Sequence, residues 1–225
     1  MVFIDGTWLG YVEKVLEEKS SYDLEIYKKL PLILSKKLKD YLSVSEVDLV
    51  RINFFASIPV NVDTRDKEEV EKQQKFYEWL RKDFGYETEI YEVDFKGRRL
   101  RKVDRDPSDS FTPEEKCVDV GLSVSMVYYA TINAYDVAIA VIGDQDYVPA
   151  LQLVRRLGKR VMVVSVHGSC ARVYDPAKDP DDTKQIRDID TVFLDDIIRV
   201  ESQPEISKKD RTFRKYVVKY ILSKY

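Results

Sequence analysis

Four aspartates stand where a carboxylate could do chemistry. Asp5 closes the apolar run of VFIDGTW (2–8), Asp119 lies in KCVDVGL (116–122), and Asp144 and Asp146 flank Gln145 in VIGDQDYVP (141–149). Two unit charges ~5 Å apart repel by roughly 3 kcal/mol at an effective dielectric near 20. Acids held together must therefore take up protons or a cation. The single histidine, His167, rules out a multi-histidine zinc site, and Cys117 and Cys170 form no CxxC pair. Oxygen-only ligation suits Mg²⁺ or Mn²⁺. Such ions serve phosphodiester cleavage, polarising the phosphate and activating water with no covalent nucleophile.

Other uses of the same residues compete with that chemistry. A DxDGT phosphatase would carry its nucleophile two residues before Asp5, where this chain has Phe3. A phenyl ring cannot attack phosphorus, which places that class poorly; turnover of a chromogenic phosphomonoester would test it. Asp144 and Asp146, where a strand gives way to a helix, could instead cap the helix and favour its dipole. Asp119 could be an exposed helical acid paired with Lys116 at i−3.

The elements that must position these acids alternate between β-branched or aromatic runs and amphipathic ones, the pattern of an α/β domain with a largely parallel sheet. Strands are expected at 2–5, 48–57, 87–95, 137–143, 159–166 and 191–194. VAIAVIG and VMVVSV are nearly continuous apolar runs, as befits strands covered on both faces. Helices are expected at 24–42, with Pro31 opening or breaking one, and at 66–84, stopped by Gly85. A further helix should open at Thr112-Pro113-Glu114-Glu115 and run to about Asn133, and another should span 146–158. In such sheets ligand sites lie just beyond the carboxyl ends of the strands, which brings the four acids to one edge. The polar, proline-bearing stretch 169–190 reads as a long surface loop. A basic amphipathic helix is expected within 201–225, with Phe213, Val217, Tyr220 and Ile221 on one side.

A chain of 225 residues with 44% hydrophobic content can build a core without disulfides or structural metal. No window approaches the ~20 apolar residues of a membrane span. No basic, then apolar leader precedes the acid at position 5, so a cytoplasmic, reducing location is expected. The net charge of −3 argues against a surface that grips nucleic acid everywhere, but six Lys or Arg fall within 96–105 against Asp104 alone. Lys96, Arg98, Arg99, Arg101 and Lys102, with Lys116, are candidate contacts to backbone phosphates; the other use of such a run is a solvated loop. Trp8, Tyr91 and Tyr147 could stack on unpaired bases, although core packing is the commoner use of the fifteen tyrosines. His167, alone in a loop, reads as structural.

Taken together, VFIDG, EKCVDVGLSVSM, NAYDVAIAVIGDQDYVPAL and RLGKRVMVVSV resemble the NYN domain, the LabA-like branch of the PIN-like nuclease superfamily. The family pattern runs FIDGxN, KxVDVxLxxD, a strand leading into SGDxDFxP, then GKxVxV, and the match covers most of residues 2–166 in order. The resemblance implies a Rossmann-like three-layer domain over 1–200 and a Mg²⁺ or Mn²⁺ site, often with ribonuclease activity. It carries catalytic and metal-binding roles onto Asp5, Asp119, Asp144 and Asp146. Two departures from the pattern bear on the site: Trp8 replaces the asparagine after FIDGx, and Ser125 replaces the second acid of the VDVxLxxD helix. A Ser125 hydroxyl could support a metal-bound water but brings no charge.

The expected function is a metal-dependent nuclease acting on RNA ahead of DNA, with Trp8 beside Asp5 able to stack on a base. The rival is a non-catalytic RNA-binding or regulatory module that keeps the fold, favoured by Trp8 and Ser125. Homo-oligomerisation, through edge strands or the C-terminal helix, is left open.

Overall fold

The computed structural model describes residues 1–17, 24–114, 117–175, 189–194 and 196. Six strands form one sheet in the order β3-β2-β1-β4-β5-β6: β1 (Val2–Asp5), β2 (Ile52–Val60), β3 (Glu87–Asp94), β4 (Val137–Val141), β5 (Arg160–Ser165) and β6 (Asp190–Phe193). Every neighbouring pair is parallel. The strand order reverses at β1 and β4, which makes the crevice beyond their carboxyl ends the topological switch point of the sheet.

Side chains alternate between faces along each strand, and two apolar layers result. Val2, Ile4, Phe54, Ile139 and Val141 join Leu9 of α1 (Gly6–Glu17), Leu30 and Leu34 of α2 (Leu24–Leu42), and Phe76 and Leu80 of α3 (Lys67–Phe84). Phe3, Phe55, Ala138, Ala140 and Val163 join Leu122 and Met126 of α4 (Val118–Thr131), with Leu151 and Val154 of α5 (Val148–Arg156), on the other face. The expected α/β architecture is the one observed. No helix among the described residues is long and apolar enough to cross a membrane.

Four differences from the sequence expectations have physical causes. α1 was not anticipated: its first residues are the poor helix formers Gly6 and Thr7, and its cap is Asp5, whose Oδ1 accepts a hydrogen bond from Trp8 N at 2.9 Å. Pro31 neither opens nor breaks a helix but lies inside α2, whose face of Ile26, Leu30, Ile33, Leu34 and Leu38 is buried in the core. α4 starts at Val118 after Cys117, which adopts the left-handed conformation at φ 80°, while 111–114 stay irregular. The β2 strand begins later than expected and continues to Val60 through Pro59. Odd-numbered residues of β2 turn their backbone groups to the β1 side, as Val2 N to Arg51 O and Ser57 N to Thr7 Oγ1 show. β1 ends opposite Phe55, so Pro59 lacks only an N–H that would have had no strand partner.

The expected loop 169–190 is tied down over its first part. Ala171 N donates to Gly143 O at 2.8 Å, and Tyr174, buried in the core, donates its hydroxyl to Asp144 O at 2.9 Å. The helix expected within 201–225 lies outside the described residues.

Candidate functional site

The switch point is built from two strand ends and a helix start. Asp5 is the last residue of β1 and is 5% exposed, closed in by the first turn of α1 that it caps. Ile4 pairs with Val141, so the β4 chain leaves the sheet beside Asp5 and delivers Gly143, Asp144 and Asp146 to the same edge. Asp119 is the second residue of α4 and reaches the edge from the face carrying Phe3 and Phe55.

Tyr147 joins these pieces. Its hydroxyl lies 2.9 Å from Asp5 Oδ2 and 2.6 Å from Asp119 Oδ1, so the two carboxylates are no further apart than two hydrogen bonds sharing one oxygen. Burial first, then the charge of Asp5, pushes the phenol far above its ordinary value, and it stays a neutral donor. A phenol has one proton and can donate to one carboxylate at a time. The hydroxyl bridges the pair without adding a charge of its own. The ring is fully buried, so Tyr147 is not a surface on which a base could stack.

Asp144 and Asp146 occupy the adjacent exposed turn. Asp144 Oδ1 accepts from Asp146 N at 3.1 Å and caps the turn Gln145–Tyr147, the local use that the strand-to-helix position allowed. Among the described residues no three His, Cys, Asp or Glu side chains come together as a group able to hold an ion. The donors are hard oxygens throughout, which fits Mg²⁺ or Mn²⁺. Asp5 and Asp119 form a close pair, with Asp144 and Asp146 on the neighbouring turn.

The other candidate residues scatter. Trp8 is half-buried, its Nε1 donates to Ser169 O at 3.0 Å, and its indole lies so close over Gly143 that a Cβ there would overlap it. The hydroxyl of Tyr91 donates to Glu89 at 3.1 Å and covers Gly121 of α4 in the same way. Ser125 sits six residues beyond Asp119, about 9 Å along α4 and turned about 120° from it. No hydrogen bond joins it to the aspartates among the described residues.

The basic run leaves the sheet after β3, which reaches Asp94 opposite Val60, five residues beyond the level of Asp5 and Phe55. That overhang of about 16 Å makes one wall of the crevice. Most of its cations are engaged within the loop or against the start of α3. Arg98 pairs with Asp109 at 2.9 Å and lies over the Phe111 ring, and Arg99 pairs with Asp66 at 2.9 Å. Arg105, which was not singled out from the sequence, donates to the carbonyls of Arg99, Leu100 and Phe111 at 2.7 to 3.0 Å. Lys96 and Lys102 are exposed, and the Arg101 side chain is 75% exposed with Asp104 at 3.6 Å. Lys116 lies outside the described residues. Cys117 and Cys170 form no disulfide, the first being exposed and the second buried. His167 stacks on Phe193 and bonds Asp196 at 3.0 Å, a structural placement.

Sequence reading named Tyr147 only as a candidate stacking ring and missed that its hydroxyl joins two of the acids. The available signal was a residue able to donate, placed directly after the acids of GDQDY. A family model described as the NYN domain matches residues 1–183. Searches of curated proteins and of solved structures return no match.

Proposed function

We propose, from the premise that this chain belongs to the NYN-domain family of the PIN-like nuclease superfamily, that it is a divalent-metal-dependent ribonuclease. The observation that carries this reading is the meeting of Asp5 and Asp119 across a single phenol at the switch point of a parallel sheet. Two carboxylates this close, one buried and one exposed, suit a shared cation.

Asp5, Asp119 and Asp144 would hold Mg²⁺ or Mn²⁺, and Asp146 would complete the set directly or through water. When bound, the ion supplies polarisation of the scissile phosphate and activation of water. The chain's own contribution is position. The helix cap fixes the Asp5 carboxylate, because one of its oxygens is committed to Trp8 N. Lys96, Arg101 and Lys102 on the overhanging wall would hold flanking phosphates, with sequence-independent, salt-sensitive affinity. Arg98 and Arg99 shape that wall through their ion pairs. The indole of Trp8, half-buried beside Asp5, borders the crevice where an unpaired base of RNA would sit. No membrane enters this scheme, and a reducing cytoplasm is the proposed setting.

The test is Mn²⁺-dependent cleavage of single-stranded RNA by purified wild type and Asp144→Asn. Loss of cleavage in the variant is expected, and undiminished cleavage would refute the assignment. A second reading, an RNA-binding module that does not cut, draws support from the Tyr147 bridge and from the absence of a three-residue ligand group among the described residues. RNA retained in EDTA, with no Mn²⁺ heat in calorimetry and no cleavage, would favour it.

A further inference from the structure

An ion shared by Asp5 and Asp119 would need to lie about 2.0–2.1 Å from an oxygen of each carboxylate. The Tyr147 hydroxyl already stands between them, within hydrogen-bond distance of both. Its ring is fully buried in the layer of Phe3, Leu122, Ile142 and Leu151, at the start of α5, so moving the hydroxyl off the acids costs packing. A phenylalanine at this place would fill nearly the same core volume and leave the gap between the acids open.

We propose that the Tyr147 hydroxyl is a built-in competitor for the cation: it occupies the position an ion shared by Asp5 and Asp119 requires, so that loading the edge displaces it and its presence lowers affinity for Mg²⁺ and Mn²⁺. Tyr147 acts here as a positioning residue. It spaces the two carboxylates and gives each an alternating hydrogen-bond donor while no ion is present. This inference rests on the metal-site reading above, and the experiment separates the two.

Calorimetric titration with Mn²⁺ of wild type and Tyr147→Phe, paired with thermal melting at several Mn²⁺ concentrations, makes the test. The expected result is a Kd about tenfold or more tighter in the variant, equivalent to about 1.4 kcal/mol. The metal-free variant should also melt below the wild type and gain more from Mn²⁺. Equal affinity in the two proteins would overturn the inference while leaving the metal site standing. No binding by either would overturn both. Should Tyr147→Phe not fold, a wild-type crystal soaked in Mn²⁺ decides. An ion on Asp5 and Asp119 with the phenol oxygen out of reach of both supports the proposal. An ion with the bridge intact, or no ion there, refutes it.

Discussion

The acidic edge and the basic loop look alike in the sequence, each a concentration of one charge, yet the fold treats them in opposite ways. At the edge, acids from β1, α4 and the turn after β4 are delivered by rigid elements, and Asp5 and Asp119 meet at one shared hydroxyl. In the loop 95–111 the cations find acids and carbonyls nearby: Arg98 with Asp109 and Arg105 with three backbone oxygens of the loop, and Arg99 with Asp66 at the start of α3. The lesson is that charge density is a poor guide to function until its neutralisation is known. Acids brought together from distant elements on a rigid frame are placed for chemistry, and cations paired with acids and carbonyls around their loop are scaffolding.

The sharpest way to break this contrast is at Asp5. Asparagine there keeps the oxygen that accepts from Trp8 N and so keeps the cap, but removes the charge. Asp5→Asn should lower Mn²⁺ affinity by about 10- to 100-fold, measured by calorimetry, with little change in melting temperature. In the loop the expected effect is on stability. Arg105→Ala leaves three carbonyls without their donor and should cost about 2–3 kcal/mol in urea denaturation.

A pair of arginines refines the comparison within the loop. Arg99→Ala, at 22% side-chain exposure, should cost about 1–2 kcal/mol of stability by leaving Asp66 without its main partner. Arg101→Ala, at 75%, should change stability by less than about 0.5 kcal/mol. It should instead lower the salt dependence of single-stranded RNA binding by about 0.7 in the log–log slope.

The smallest effect is acid sensitivity of the loop. Asp66 is held below its ordinary value first by Arg99, against some desolvation, and further by the Leu100 amide. A carboxyl depressed in the folded state contributes stability that is present above its unfolded value, near 3.8, and lost as pH falls through the folded one. Hydrogen exchange at Leu100 N should therefore show the loop's protection weakening below about pH 4, with the core strands still protected. Uniform loss of protection would contradict a loop held by its own ion pairs.

Much of the frame was legible beforehand. β4 and β5 are short apolar runs covered on both faces, and α2 matched its expected bounds because its apolar spacing outweighed Pro31. The shared edge of the aspartates followed from parallel strands having their carboxyl ends together. What stayed hidden had local causes. Asp5 was read as a ligand and not also as a cap, which concealed α1. Thr112-Pro113-Glu114 has the residues of a helix start, but the helix opens only after the left-handed Cys117. Tyr147 within an apolar stretch carries a core signature, and nothing in its spacing announces that its oxygen meets acids 142 and 28 residues away. Arg99 and Asp66 are likewise 33 positions apart, so a run of cations does not declare its partners.

The most direct measurement is cleavage of single-stranded RNA by wild type and Asp119→Asn, with Mn²⁺ and with EDTA, alongside thermal melts. Asp119 is exposed, so its loss should leave the fold intact. The account predicts cutting by the wild type that EDTA abolishes and that the variant loses by about 100-fold or more. Equal cutting by both proteins, or cutting that persists in EDTA, would contradict it.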